Sequence, residues 1–119
     1  MNTVNLKEKF SLFSDHWKPR IIGEVNDCYL KAVKVKGDFV WHHHENEDEL
    51  FLVVKGTLRM KFRDHEAVIK EGEFIIVPRG VEHCPVADEE THIVLIEPKS
   101  TLNTGNVTNE RTVAELERI

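Results

Sequence analysis

The 119-residue sequence predicts an all-β fold, a sandwich or barrel of short strands preceded by one short helix. Three observations carry that expectation. Between Arg20 and Glu97 the apolar residues come in short runs rich in Val, Ile, Phe and Leu, each bounded by turn-forming residues such as Asn26-Asp27, Gly37-Asp38, Lys55-Gly56, Glu71-Gly72 and Pro78-Arg79-Gly80. No helical period intervenes between these runs, which excludes a parallel sheet built from βαβ units. The only clear helical spacing lies ahead of them, at Leu6, Phe10 and Phe13.

Taken in order, Asn5 with Glu8 three residues later reads as a capping box, so a helix is expected over residues 5–14, docked through Phe10 and Phe13 with Trp17 in the same cluster. Strands are then expected at about 20–25, 27–36, 38–44, 49–55, 57–63, 66–70, 73–77, 81–86 and 91–97. The tail, 99–119, is irregular and ends in a weak helical pattern over 112–118. All 119 residues read as one domain.

Composition bounds the function. With 40% hydrophobic and 31% charged residues the chain is that of a globular protein, and no apolar run approaches the ~20 residues that span a bilayer. A formal net charge of −5 argues against nucleic acid as a partner. The N-terminus lacks a secretory core, and Cys28 and Cys84 form no framework, so a cytoplasmic protein with reduced thiols is expected. The runs 38–44 and 49–55 are apolar on both faces, which calls for a cover beyond the helix and predicts a homodimer; Leu58, Met60 and Phe62 instead alternate with polar residues.

The chemistry concentrates at His42-His43-His44, followed by Glu45, Glu47, Asp48 and Glu49. On a strand, alternate residues share a face about 6.6 Å apart, so His42 and His44 can converge on one ion while His43 points away. The run extends as His42-x-His44, four residues, Glu49, six residues, Gly56. A second stretch runs Gly72, five residues, Pro78-x-Gly80, two residues, His83. Together the two resemble the paired motifs of the cupin superfamily, and the context VEHCPVADEE and IEPKSTLNTG is similar to small single-domain cupins of the mannose-6-phosphate isomerase-like group. Gly37 falls one residue closer to His42 than that pattern has it, and Ala87 stands where it ends in Asn.

The resemblance implies a double-stranded β-helix, or jelly roll, with its barrel at about 20–98. It also implies a metal held by His42, His44, Glu49 and His83. The residues support that set: Glu49 opens a strand and is held in place, whereas Glu45, Glu47 and Asp48 face water. Pro78 and Gly80 fit a type I turn that returns His83 to the first strand pair. Three imidazoles and a carboxylate suit divalent Fe, Mn, Ni, Co, Cu or Zn. Elsewhere, His16, His65 and His92 read as surface or structural histidines, Cys84 as a buried thiol, and Tyr29 as an unassigned hydroxyl. Val40, Phe51, Val53, Leu58, Met60 and Phe62 are expected to face inward, with Arg79 at the rim.

These features predict a metal-dependent enzyme acting on a small polar molecule, of isomerase, lyase or dioxygenase type. No acid or base beyond the ligands is evident, and no interior cluster of Arg or Lys that would hold a phosphate. A non-catalytic ligand-binding module and a barrel stabilised by a structural metal are the alternatives.

Overall fold

The computed structural model describes residues 1–119. One helix, α1 (Leu6–Phe10), precedes eight strands: β1 (Arg20–Val25), β2 (Cys28–Asp38), β3 (Glu49–Lys55), β4 (Thr57–Phe62), β5 (Glu66–Lys70), β6 (Phe74–Val77), β7 (His83–Pro98) and β8 (Glu117–Arg118). They form a double-stranded β-helix whose sheet is not closed.

β7 organises the sheet. One of its edges pairs with β2 from Cys28↔Pro98 to Asp38↔Val86, while the other is divided between β4 (Arg59↔Val86 to Phe62↔His83) and β3 (Leu50↔Ile96 to Val53↔Ile93). The 16-residue β7 thus replaces the two separate strands expected at 81–86 and 91–97. Asp88, Glu89 and Glu90, which read as a break, are three exposed residues of one strand whose backbone stays extended.

Period-2 alternation sorts the side chains into two layers. Val33 and Val35 of β2, Phe51 and Val53 of β3, Leu58 and Met60 of β4, and Ile93 and Leu95 of β7 share the interior cluster. Their neighbours on the outer face of β2 and β7, Ala32 and Val94, meet Phe10 and Ile22, so the helix covers part of the outer apolar face as the sequence requires.

Three expected elements differ. The helix is five residues long: Asn5 Oδ1 caps it by accepting from the Glu8 N–H at 2.9 Å, and it closes at Ser11, whose N–H donates to the Lys7 and Glu8 carbonyls at 3.2 and 3.1 Å. The expected strand 38–44 survives only as the end of β2 and a bridge at His42↔His83. Its facing residue is Pro85, which has no N–H to donate, so Phe39 can only donate to the Pro85 carbonyl and the ladder breaks there. The expected C-terminal helix is absent, because Asn103 takes the Val113 N–H and the Arg111 carbonyl, leaving β8 to pair parallel with β1. No helix is long and apolar enough to cross a membrane.

Candidate metal centre

Glu49 is the first residue of β3 and shares the inward face with Phe51 and Val53. His83 is the first residue of β7, and its backbone exchanges two hydrogen bonds with that of His42, at 2.9 and 3.0 Å. His44, two residues on, is fixed by its carbonyl, which accepts from the Gly80 N–H at 2.7 Å. The Pro78–Gly80 turn is in turn tied to the acidic loop, since the Asp48 carboxylate accepts from the Arg79 N–H at 2.9 Å. Asp48, exposed as the sequence leads one to expect, is therefore also an anchor between the two sequence motifs.

The structure brings His42, His44, Glu49 and His83 together, each offering one ligand atom within 4.8 Å of the others. All four are buried, none more than 4% exposed. The two histidines of the bridge are oriented in the same way. His42 Nδ1 lies 2.8 Å from the Val40 carbonyl and His83 Nδ1 lies 2.9 Å from the Val81 carbonyl, so each ring donates from Nδ1 and leaves Nε2 as the coordinating atom. His43 turns away, its Nε2 reaching Glu45 at 3.1 Å.

A metal ion fits this set on the chemistry of its unpaired atoms. Both ring nitrogens of His44, Oε1 of Glu49 and Nε2 of His83 are buried without a hydrogen-bond partner. Glu49 Oε1 lies 3.2 Å from His44 Nε2 and 3.4 Å from His83 Nε2, close but not in hydrogen-bonding geometry. Buried polar atoms left unpaired cost free energy that a shared cation recovers. Burial, and next the neighbouring His83, hold the His42 imidazole down to about 4, so it is neutral at neutral pH as a ligand must be.

Two charged residues that the sequence reading misses stand behind Glu49. Lys31 and Glu97, each 1% exposed, pair at 2.7 Å in the interior. Burial and the Glu49 charge raise the Glu97 carboxyl well above its ordinary range, while Glu49, which burial alone would raise, is held well below by the groups that face it, Glu97, His44 and His83. The signal is parity: Lys31 falls two and four residues before Val33 and Val35, and Glu97 two and four residues after Leu95 and Ile93, so each shares a strand face with core residues.

A cavity of about 30 Å³ adjoins His42 and Glu49. Phe39 lines it, not the expected Val40, because the irregular backbone after Asp38 abandons strand parity. Trp17 lines it too, away from the helix cluster to which its sequence position assigns it. At φ 62° Trp17 holds a conformation unusual for a bulky residue, sustained by its N–H and Nε1–H donating to the Lys34 and Lys36 carbonyls at 2.9 Å and by stacking on Phe39 at 4.8 Å. His92 stacks on Phe10 outside the barrel, and Tyr29 lies between Lys99 and Arg118, so neither reaches the cavity.

Comparison with known proteins places this site in a family. A Cupin domain model matches residues 29–98. A cupin-2 domain protein of Shewanella frigidimarina has a similar structure, with 50% identity, a TM-score of 0.81 and coverage of 82% of this chain and 95% of its own. A Neisseria meningitidis protein is 33% identical with a TM-score of 0.75, covering 82% of this chain and all of its own. The Bacillus subtilis protein YdbB is 39% identical over 79 residues, 66% of this chain and 64% of YdbB, so the match spans slightly under two thirds of that relative.

Proposed function

The chain belongs to the Cupin domain family, and from that premise we propose that it is a metal-dependent enzyme that binds a small molecule at His42, His44, Glu49 and His83. The observation that carries this reading is the convergence of four buried ligand atoms, three of whose residues hold atoms with no other partner, beside a cavity that reaches His42 and Glu49. A purely structural metal calls for a closed shell, and that cavity favours access instead.

A divalent cation held there supplies Lewis acidity toward a substrate oxygen, and one-electron chemistry if it is redox-active. The protein's own part is orientation and exclusion of water. The Val40 and Val81 carbonyls set the two imidazoles, Glu97 backs Glu49, and the apolar wall keeps water from the reacting end. No other acid or base lines the cavity, so any proton transfer in isomerase, lyase or dioxygenase chemistry has only the four site residues and the substrate itself to draw on.

Elemental analysis of protein purified without a metal column tests the reading. His83→Ala is expected to lower bound metal at least tenfold while His43→Ala leaves it unchanged; equal metal in the two variants overturns the ligand assignment. We also propose a homodimer. Phe74 and Ile76, 60% and 52% exposed, face outward on β6, which pairs only with β3, and a second copy across that edge would cover them. Light scattering that gives a monomer mass at micromolar concentration refutes it.

A further inference from the structure

Resting on the metal-site reading, we propose that the ligand taken by this cavity has a short, uncharged apolar body of two or three heavy atoms behind its metal-binding head, and not a polar or phosphorylated one.

The cavity wall carries this. His42 and Glu49 are its only ionisable groups, and both belong to the ligand set. Around them stand Trp17, Val33, Val35, Phe39, Phe51 and Leu95. Asn103 is the one other polar side chain on the wall. Its carboxamide is engaged elsewhere, with Oδ1 accepting from the Val113 N–H at 2.9 Å and Nδ2 donating to the Arg111 carbonyl at 2.7 Å. The interior cation, Lys31, is not on this wall and is already paired with Glu97 at 2.7 Å.

A ligand whose far end is a carboxylate, phosphate or polyol would bury that end against apolar carbon with no partner, a penalty that a hydrocarbon body avoids. Size acts in the same direction. The recess beside His42 and Glu49 is narrow, about 30 Å³, which suits a short tail better than a ring the size of a hexose. One end of the ligand reaches His42 and Glu49, and the remainder lies against Phe39, Phe51 and Leu95.

Hydroxamates with one metal-binding head and different tails provide the test, read from the visible absorption of Co(II)-loaded protein. Butyrohydroxamate ends in a methyl group where succinic monohydroxamate ends in a carboxylate, two oxygen atoms larger, so 4-methylpentanohydroxamate, whose isopropyl end has the carboxylate's shape, controls for size and is expected to bind more tightly than the succinic compound; octanohydroxamate is too long. Butyrohydroxamate is expected to bind at least tenfold more tightly than the succinic or the octano compound. Equal or tighter binding of the charged tail overturns the proposal, as does Co(II) protein whose spectrum none of the four perturbs. Phe39→Ala, which enlarges the cavity by removing the ring that stands edge-on to His42 at 5.4 Å, is expected to narrow the gap between octano- and butyrohydroxamate, both measured on the same Co(II)-loaded variant, at least fivefold; an unchanged gap in the folded variant also overturns it. Failure to take up Co(II) at all fails the metal reading, and this proposal with it, whereas bound Co(II) with no tail preference overturns this proposal alone.

Discussion

The four clustered side chains reach their positions by two different means. Glu49 and His83 open regular strands, and the β3 and β7 ladders fix them. His42 and His44 lie on a segment with no ladder beyond the single His42↔His83 bridge, and the C-terminal tail holds that segment in place. Asn106 clamps the intervening His43 from both sides, its Oδ1 accepting from the His43 N–H at 2.8 Å and its N–H donating to the His43 carbonyl at 3.1 Å. Half of the site thus depends on sheet formation and half on a strap more than fifty residues away in sequence. Disturbing each half separately should therefore give distinguishable failures.

The largest effect is expected on the ladder-held half. Lys31 and Glu97 form an ion pair at 2.7 Å in the interior, each 1% exposed. Lys31→Met leaves the Glu97 carboxyl buried without the ammonium it is paired with at 2.7 Å and is expected to cost about 3–5 kcal/mol in urea denaturation. Adding Glu97→Leu, which removes the stranded carboxyl, should restore most of that. If the double variant is no more stable than the single one, the pair does not act as a balanced unit.

Next in size is a pH effect on the strap-held half. In metal-free protein His42, packed against His83, His44, Glu49 and Phe39, titrates at about 4 instead of its ordinary 6.5. Below 6.5 the unfolded chain takes up a proton that the folded chain refuses, so His42 withdraws stability as pH falls from 6.5 to about 4. The full loss is about 3 kcal/mol at 1.36 kcal/mol per pH unit. Glu97, raised by burial and by the Glu49 charge, works in the opposite sense above its unfolded value, so the comparison must be differential. The stability advantage of wild type over His42→Gln in EDTA is expected to shrink as pH falls through that window. A pH-independent difference refutes the shifted His42.

How far the sequence shows this site follows from the same division. Alternation along β2, β3, β4 and β7 is a local property, so the all-β fold and the inward faces of Phe51, Val53, Leu58 and Met60 are readable from residues two apart. The spacing of the two motifs similarly marks His42, His44, Glu49 and His83. What lies hidden depends on contacts between distant segments. Pro85 breaks the ladder opposite Phe39, and so the wall residue is Phe39 and not Val40. Trp17 and Asn103 arrive at the cavity from the two ends of the chain. Lys31 and Glu97 were marked by parity, but a charged residue on an apolar face shows its partner only once β2 and β7 are paired in register.

The smallest of these effects is the sharpest test of the strap. Gly105 and Gly37 both adopt positive φ, 56° and 79°, and alanine at either position bears the cost of a left-handed conformation, about 1 kcal/mol. Their surroundings differ. A Cβ at Gly37 meets nothing within 4 Å, whereas one at Gly105 would lie 2.1 Å from the His43 carbonyl oxygen and 3.1 Å from His42 Cδ2, pushing on backbone between two of the four site residues. Gly105→Ala is therefore expected to cost about 2–3 kcal/mol, an overpacking penalty added to the conformational one, and to weaken Co(II) binding with an altered visible spectrum. Gly37→Ala should cost about 1 kcal/mol and leave the spectrum alone, because its strain has no route to the site. Equal destabilisation by the two, with identical Co(II) spectra, would mean that the tail merely covers the His42–His44 segment without positioning it.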